Sequence, residues 1–402
     1  MKPHILYLSS YLPKRSETFV YREVLGLRER GMKVSVASLY QPEANLGDVQ
    51  ADALAAESVT VYPAGIPKIL TDAFLTLLAS PLRAIQALLT ATRDVFLASD
   101  LGLAARCKIP IQYLAALALV RRVANRGITA VHVHMAHAPA TVGMMAAAVL
   151  GVPFSFTGHA ADLFRERGLL EEKLRRARFV ACISEWHRQW YNTICKRPDA
   201  EYPIIRCGVE IPEKIVGHSP GNTIRLLGLG RLVPKKGFDA LIAATAELLV
   251  RNIPVHCIIA GDGPERQRLE AQATGLHCIK FIGSVDHPRV PALLAETDIF
   301  VMPCRVAEDG DRDGIPVVLM EAMAGGIPVV TGDLPTIREL VQDGKTGCLV
   351  APGDAEQLAD VLAELAADPV RRQELGRNGR ARVIEEFSST VNLARIEFAL
   401  TS

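Results

Sequence analysis

Short β-branched runs separated by helix-length amphipathic stretches recur along this chain, pause near residue 210 and begin again near residue 222. Such alternation is the mark of parallel sheets built from strand–helix–strand units. The pattern predicts strands at Ile5–Ser9, Val34–Leu39, Val131–His134, Pro153–Thr157 and Phe179–Ile183. A second series follows at Ile224–Leu229, Val255–Ala260, Ile279–Ile282, Ile299–Met302 and Pro328–Thr331. Helices are expected between them, among others Glu17–Arg30, Asp239–Arg251, Glu265–Ala273, Val317–Ala324 and Ala355–Ala366. The polar stretch from Glu210 to Asn222, with Pro212, Pro220 and Gly221, suits a linker. A chain of 402 residues exceeds one ordinary core. The expected architecture is α/β, with two Rossmann-like doubly wound domains facing each other across a cleft. The first spans residues 1–212 and the second 222–385, and residues 386–402 form a helix packing back on the first. In open parallel sheets ligands sit at the carboxyl ends of the strands, so the loops there are where chemistry is sought.

Residues 64–125 interrupt the first series. They are rich in Leu and Ala, punctuated by Pro67, Pro81 and Pro110, and lack strand runs. Two readings stay open: a helical insertion packed on the sheet, or a surface for a membrane or lipid-linked substrate, with Arg121, Arg122 and Arg126 on anionic headgroups. Charge is unevenly distributed. Residues 1–217 hold 26 Lys+Arg against 19 Asp+Glu, whereas the whole chain is +1. No global basicity argues for nucleic acid. The scattered Cys residues, without a C-x-x-C pair, suit reduced thiols in a cytoplasmic protein. The longest apolar stretch, Ile109 to Val120, is broken by Pro110 and Gln112 and falls short of a membrane span.

Two stretches carry the chemistry. In Asp313-Gly314-Ile315-Pro316-Val317-Val318-Leu319-Met320-Glu321, carboxylates stand eight positions apart, the first in a Gly-Pro turn and the second inside a helix. The turn and helix start would aim free N–H groups at an anion, and the helix dipole adds to their pull. A diphosphate fits there, with carboxylates on either side to accept hydrogen bonds from vicinal hydroxyls. In Gly230-Arg231-Leu232-Val233-Pro234-Lys235-Lys236-Gly237, two cations follow a strand and can neutralise a departing diphosphate. Taken singly, an exposed helix charge explains the first stretch as well as a ligand site does, and a solvated basic turn explains the second better; their coincidence on one domain favours the anion site.

Together these stretches resemble the retaining GT-B glycosyltransferases of family 4. So do Ala260-Gly261-Asp262-Gly263-Pro264, Phe281-Ile282-Gly283 and Ala295-Glu296-Thr297-Asp298 through Pro303. The resemblance covers nearly all of residues 224–385. Ser16-Glu17-Thr18-Phe19, Thr157-Gly158-His159-Ala160-x-Asp162 and Arg312-Asp313-Gly314-Ile315-Pro316 look most like enzymes of bacterial exopolysaccharide synthesis of the colanic acid type. The resemblance implies a hexose donor, UDP- or GDP-linked, and no cofactor or metal. It implies that Arg231 and Lys236 grip the diphosphate, Asp313 the donor sugar, Glu321 the ribose, and the backbone near Gly283 and Ser284 the base. Gly314 to Leu319 line the phosphates, and His159 approaches the sugar from the first domain. Many relatives have a glycine pair after the first strand, where this chain has Ser9-Ser10-Tyr11-Leu12-Pro13-Lys14-Arg15, so the phosphate-facing loop is expected to draw its contacts from the Ser16-Glu17-Thr18 segment. Asp313 replaces the more usual Glu, which shortens the arm toward the sugar. The acceptor implied is a polyprenyl-diphosphate-linked saccharide at the inner face of the plasma membrane, with peripheral membrane contact.

Other signals are weaker. Asp309-Gly310-Asp311 and Asp311-Arg312-Asp313 read D-x-D, a manganese pattern in a different fold, so Asp309 and Asp311 are expected as solvated loop charges. His132, His134 and His137 suit satisfied histidines better than metal ligands. Gly261-x-Gly263 is too short for a dinucleotide fingerprint. Trp186 and Trp190, at helical spacing, are expected to pack. Competing functions are another GT-B reaction, such as nucleotide-sugar epimerisation, and a two-domain nicotinamide-dependent oxidoreductase.

Overall fold

The computed structural model of the protein describes residues 2–97, 102–159, 168–214 and 221–402. Ala160 and Asp162 of the histidine motif, and His218 to Pro220 of the linker, lie outside these residues. The chain divides into two compact units: residues up to Arg206 with Leu393–Ser402, and Cys207–Asn392.

The first unit contains β1 (His4–Ser9), β2 (Lys33–Ser38), β3 (Val59–Thr60), β4 (Ala130–His134), β5 (Phe154–Gly158) and β6 (Val180–Cys182). They form one sheet in the order β3-β2-β1-β4-β5-β6, with every neighbour parallel. The second unit contains β7 (Ile224–Leu229), β8 (Val255–Ala260), β9 (Ile279–Gly283), β10 (Ile299–Met302), β11 (Val329–Gly332) and β12 (Cys348–Val350). Its order is β12-β11-β10-β7-β8-β9, also parallel throughout. Both sheets therefore have the same doubly wound topology, in which the first and fourth strands lie side by side where the winding reverses. Strands such as Ile5-Leu6-Tyr7-Leu8 and Ile299–Met302 are buried along their whole length, as sheets covered by helices on both faces require.

The predicted strands are present with shifts of a residue or two. Missing from the prediction were β3 and β12. Each is two or three residues long at a sheet edge, too short to register as a β-branched run.

The unit boundary also falls earlier than the expected linker. Val209 bridges Ser388, and the Ser389 N–H donates to the Val209 carbonyl at 2.8 Å, so residues 207–212 and the start of the last helix belong to the second unit. The rest of that helix, Ser389–Thr401, is part of the first unit. Ile396 and Leu400 join the core of Ile5, Tyr7 and Val24, while Glu397 pairs with Lys2 at 2.8 Å and Arg30 at 2.6 Å.

Among the described residues of 64–125 there are three α-helices, Ile66–Ala79, Pro81–Leu97 and Leu103–Val123. Ala73, Ala84, Ala87, Tyr113, Leu117 and Val120 pack into one core with Leu6, Leu8, Val131 and Val133 of the sheet. Arg122 is not the surface cation expected of it. Its Nε donates to the buried Asp72 at 2.8 Å and its Nη1 to the Val61 carbonyl at 3.0 Å. Arg121 and Arg126 are exposed. Trp186 and Trp190 stack on each other, centroids 6.4 Å apart, and pack against the first unit's core.

Removing Arg122 leaves the buried Asp72 with the exposed Lys68 as its remaining partner and takes a donor from the Val61 carbonyl, a loss of about 2 kcal/mol. Arg122→Ala should therefore destabilise the protein by roughly that amount in chemical denaturation, and Arg121→Ala by less than about 0.5 kcal/mol. Equal effects would show that Arg122 is not the inward-facing anchor.

Candidate functional site

In the second unit the loops leaving β7 and β10 meet, because these strands are the neighbours at which the winding reverses. The loop after β7 is fastened on both sides of Arg231. The Gly230 N–H donates to the Ala260 carbonyl at 3.0 Å, and the Leu232 N–H to the Asp262 carbonyl at 2.9 Å. Arg231 itself projects an exposed side chain. Gly261, at φ 136°, is what permits this approach, since a Cβ there would collide with the Gly230 carbonyl. The paired glycines 261 and 263 thus serve backbone packing, not a dinucleotide.

The loop after β10 is tied to the same segment. The Arg305 N–H donates to the Lys235 carbonyl and its Nε to the Pro234 carbonyl, both at 2.9 Å. Arg305 also pairs with Asp239 at 2.9 Å. Gly237, at φ 69°, starts the helix Phe238–Val250 so close to Pro303 that any side chain would strike its carbonyl. These contacts bring Lys236 Nζ to 2.9 Å from Asp313 Oδ2, and Lys235 Nζ to 3.5 Å from Asp313 Oδ1. Lys235 also holds Asp311 at 3.1 Å, so Asp311 is a paired charge and not the solvated one expected.

Asp313 is almost sequestered, at 13% side-chain exposure. Burial would raise its pKa, but Lys236 and then Lys235 outweigh it and hold the carboxyl below its ordinary range. Burial would likewise depress Lys236, yet Asp313 raises it overall. Burial and the neighbouring carboxylate push the Cys304 thiol up to about 12, so it stays protonated and donates to Asp313 Oδ2 at 3.6 Å. At an effective dielectric near 20, a charge pair at this separation attracts by about 6 kcal/mol. Desolvating two ions offsets several kcal/mol of that. Stability alone is a poor reason to bury such a pair.

Asp313 leads into Gly314, Ile315 and Pro316, and the helix Val317–Ala324 begins immediately after. Pro316 accepts from the Leu319 N–H at 3.1 Å, and no side chain caps this end. First-turn N–H groups of a helix have no partner within it, so those of Val317 and Val318 suit an anion. Thr336 clamps the turn from beneath: its hydroxyl donates to the Gly314 carbonyl at 2.9 Å. Further along the helix, Glu321 accepts from His287 Nε2 at 2.9 Å. His287 follows Gly283 and Ser284 in the loop after β9, so Glu321 and the expected base-binding backbone are joined through one histidine. The structure thus brings together Lys236, Asp313 and the turn 314–319, and separately Glu321 with the 283–287 loop.

In the first unit, Ser16 and Glu17 lie in a single turn, Arg15–Glu17, and Thr18 starts the helix Thr18–Glu29. Glu17 is held by Lys14 at 2.6 Å. His159 directly follows β5 and is buried. His132 bonds Ser155 at 2.9 Å and Thr157 at 3.0 Å, and His134 bonds His159 at 3.1 Å and Glu23 at 3.0 Å. Glu23, His132 and His134 could be drawn as a metal cluster, but all four ring nitrogens of the two histidines are already hydrogen-bonded. His287, Thr336, Cys304 and Glu23 were missed from the sequence. Only His287 had a local signal, its place in a loop at a carboxyl strand end.

Residues 212–382 match the family described as glycosyl transferases group 1, and residues 101–212 that described as glycosyltransferase family 4. The amylovoran biosynthesis glycosyltransferase AmsK of Erwinia amylovora is 33% identical over 58% of this chain and 60% of its own. The putative colanic acid biosynthesis glycosyltransferase WcaL of Salmonella typhimurium is 33% identical over 54% and 55%. The phosphatidyl-myo-inositol mannosyltransferase of Mycobacterium leprae is 30% identical over 66% and 71%. The alignments with AmsK and WcaL thus span a little over half of each relative's length. Among solved structures, Anabaena Alr3699/HepE in complex with UDP and glucose superposes with a TM-score of 0.69, at 20% identity and full coverage of both chains. It shares the two-sheet GT-B fold.

Asp313 has a folded-state pKa below its unfolded value of about 3.9. Its pairing therefore stabilises the protein above that pH and is lost as pH falls through the folded value. Calorimetry should show stability dropping below about pH 4, and Asp313→Asn should flatten that limb while lowering stability at neutral pH. An unchanged acid limb would mean that the pair is broken in solution.

Proposed function

The chain belongs to the family 4 glycosyltransferases, and from that premise we propose that it is a retaining hexosyltransferase acting on a UDP- or GDP-sugar. The observation that carries this reading is the second unit's juxtaposition of Lys236, Asp313 and an uncapped helix start. Lys236 and Arg231 take the diphosphate together with the N–H groups of the 314–319 turn. Asp313 accepts from donor-sugar hydroxyls, and Glu321 from the ribose. The backbone at Gly283 and Ser284 meets the base. Ser16, Glu17 and Thr18 form the first unit's phosphate-side loop, and His159 is its sugar contact. HepE, solved with UDP and glucose, supports a nucleotide-sugar donor.

Retention needs no protein nucleophile in this reading. The acceptor hydroxyl attacks the anomeric carbon on the face from which the diphosphate leaves. As the carbon–oxygen bond to phosphate breaks, the departing phosphate oxygen takes the hydroxyl proton. Lys236 and Arg231 stabilise the charge that builds on the leaving group, which makes a metal unnecessary.

The acceptor is a lipid-linked saccharide in exopolysaccharide or cell-surface polysaccharide synthesis, met at the inner face of the membrane. Among the described residues no single helix is long and apolar enough to cross a membrane. The helices Ile66–Ala79 and Pro81–Leu97 instead expose Ile66, Leu70, Phe74 and Leu78 at four-residue spacing, then Leu82, Ile85, Leu89 and Phe96. Phe74 is 59% exposed and Phe96 77%. A contiguous apolar row of this kind on a surface is unusual for a monomer. Residues 64–126 hold eight Lys+Arg to three Asp+Glu, and with Arg122 turned inward Arg121 and Arg126 are exposed to meet anionic headgroups.

Two measurements check these assignments. Thermal-shift titration with UDP, GDP and ADP should show stabilisation by one of them, insensitive to EDTA and weakened at least about tenfold in Glu321→Ala. No shift with any nucleotide would remove the donor site as read. Replacing both Phe74 and Leu78 with Ser should reduce co-sedimentation with anionic liposomes by about tenfold or more. Binding retained in that variant would separate the apolar row from the acceptor.

A further inference from the structure

Glu321, read above as the ribose contact, has one side-chain partner among the described residues, and that partner is a histidine. His287 Nε2 donates to Glu321 Oε1 at 2.9 Å. Among the described residues the other oxygen, Oε2, has no hydrogen-bond partner. At 16% side-chain exposure for Glu321 and 28% for His287, the pair is sheltered yet open to a ligand.

Packing, and not a chance meeting of surface side chains, builds this contact. Glu321 sits on the helix Val317–Ala324, whose Leu319, Met320 and Met323 share one core with Val290 and Leu294 of the helix Val290–Ala295. His287 opens the single turn that leads into the latter helix. The Val290 N–H donates to the His287 carbonyl, and the Arg289 N–H to the Asp286 carbonyl at 2.9 Å. At the other end of the loop the Gly261 N–H donates to the Gly283 carbonyl at 2.7 Å. The segment 283–290 is thus pinned at both ends, and its imidazole reaches the carboxylate from a fixed backbone.

The kind of partner matters. A glutamate without one samples several rotamers on a helix, and ordering it when a ligand arrives costs side-chain entropy that weakens binding. A carboxylate offers about four lone-pair sites, of which a single imidazole N–H takes one. An arginine fork in the same place would engage both oxygens at once. His287 therefore holds the carboxylate still and leaves Oε2 to accept from a pair of vicinal hydroxyls.

We propose that His287 is a positioning residue for nucleotide binding: by fixing Glu321 Oε1 it presents Oε2 to the ribose, so that the site selects a ribonucleotide over its deoxy analogue. This rests on the reading of Glu321 as the ribose contact, and both residues belong to the second unit. The work falls on Nε2 alone. Because His287 stands on the loop that begins with Gly283 and Ser284, a nucleotide that seats its base there finds the carboxylate already placed.

Calorimetric titration of the full chain with UDP and GDP, each beside its 2′,3′-dideoxy analogue, tests the assignment. Wild type should prefer the ribonucleotide that it binds by about 30-fold. His287→Leu should cut that preference to about threefold or less, with the dideoxy form bound within about twofold of its wild-type affinity. His287→Gln, whose amide N–H replaces Nε2–H, should keep the preference within about threefold of wild type. A merely structural role would weaken both ligands equally in His287→Leu, and that result overturns the proposal. So does a wild-type preference kept in His287→Leu, or a Gln variant no better than Leu. Glu321→Ala separates this from the underlying reading. Preference lost there but kept in His287→Leu removes His287 and leaves the ribose contact standing, whereas preference kept in Glu321→Ala removes both.

Discussion

Lys236 and Asp313 lie far apart in the chain, and only the adjacency of β7 and β10 brings their charges to 2.9 Å. Everything proposed for the second unit hangs on that approach. It depends in turn on glycines at 237 and 261, where the backbone of one loop passes too near the next for any side chain. Arg305 then ties the two loops with hydrogen bonds to Pro234 and Lys235 carbonyls. A buried pair of this kind contributes little net stability once desolvation is counted. Its value is a preorganised charge pattern: a cation and a carboxylate fixed beside a helix start that no side chain caps.

The first unit has the same strand order but different chemistry at the same place. Where the second sheet presents fixed charges, the first presents imidazoles, a phenol and one carboxylate. Buried imidazoles, a phenol and a carboxylate linked in this way orient one another through hydrogen bonds. The two units thus share a winding order and differ in the groups that it brings together.

The three-helix segment shows how far pattern reading reaches. Its amphipathic helices and the prolines at their starts were legible, because a proline at the first helical positions removes no needed hydrogen bond. The direction of Arg122 was not. Arg121, Arg122 and Arg126 look alike in sequence, yet Asp72, fifty residues earlier, draws one of them inward. The row Ile66, Leu70, Phe74 and Leu78 carries the stronger case for membrane contact, since its exposure is a fact of packing.

Periodicity alone determined the two α/β units, ten of the twelve strands among the described residues and the stretches where ligand loops would fall, because burial on a sheet imposes a local repeat that any reader can count. The edge strands β3 and β12 escaped, since two or three residues carry no repeat. Motif spacing marked Arg231, Lys236, Asp313 and Glu321 as belonging to one chemistry. Which atoms meet was left to the tertiary structure: Lys236 with Asp313, His287 with Glu321, Glu23 with His134, and His134 with His159. Those contacts join loops tens of residues apart through the order in which strands are wound, and the winding order leaves no trace in any local stretch of sequence.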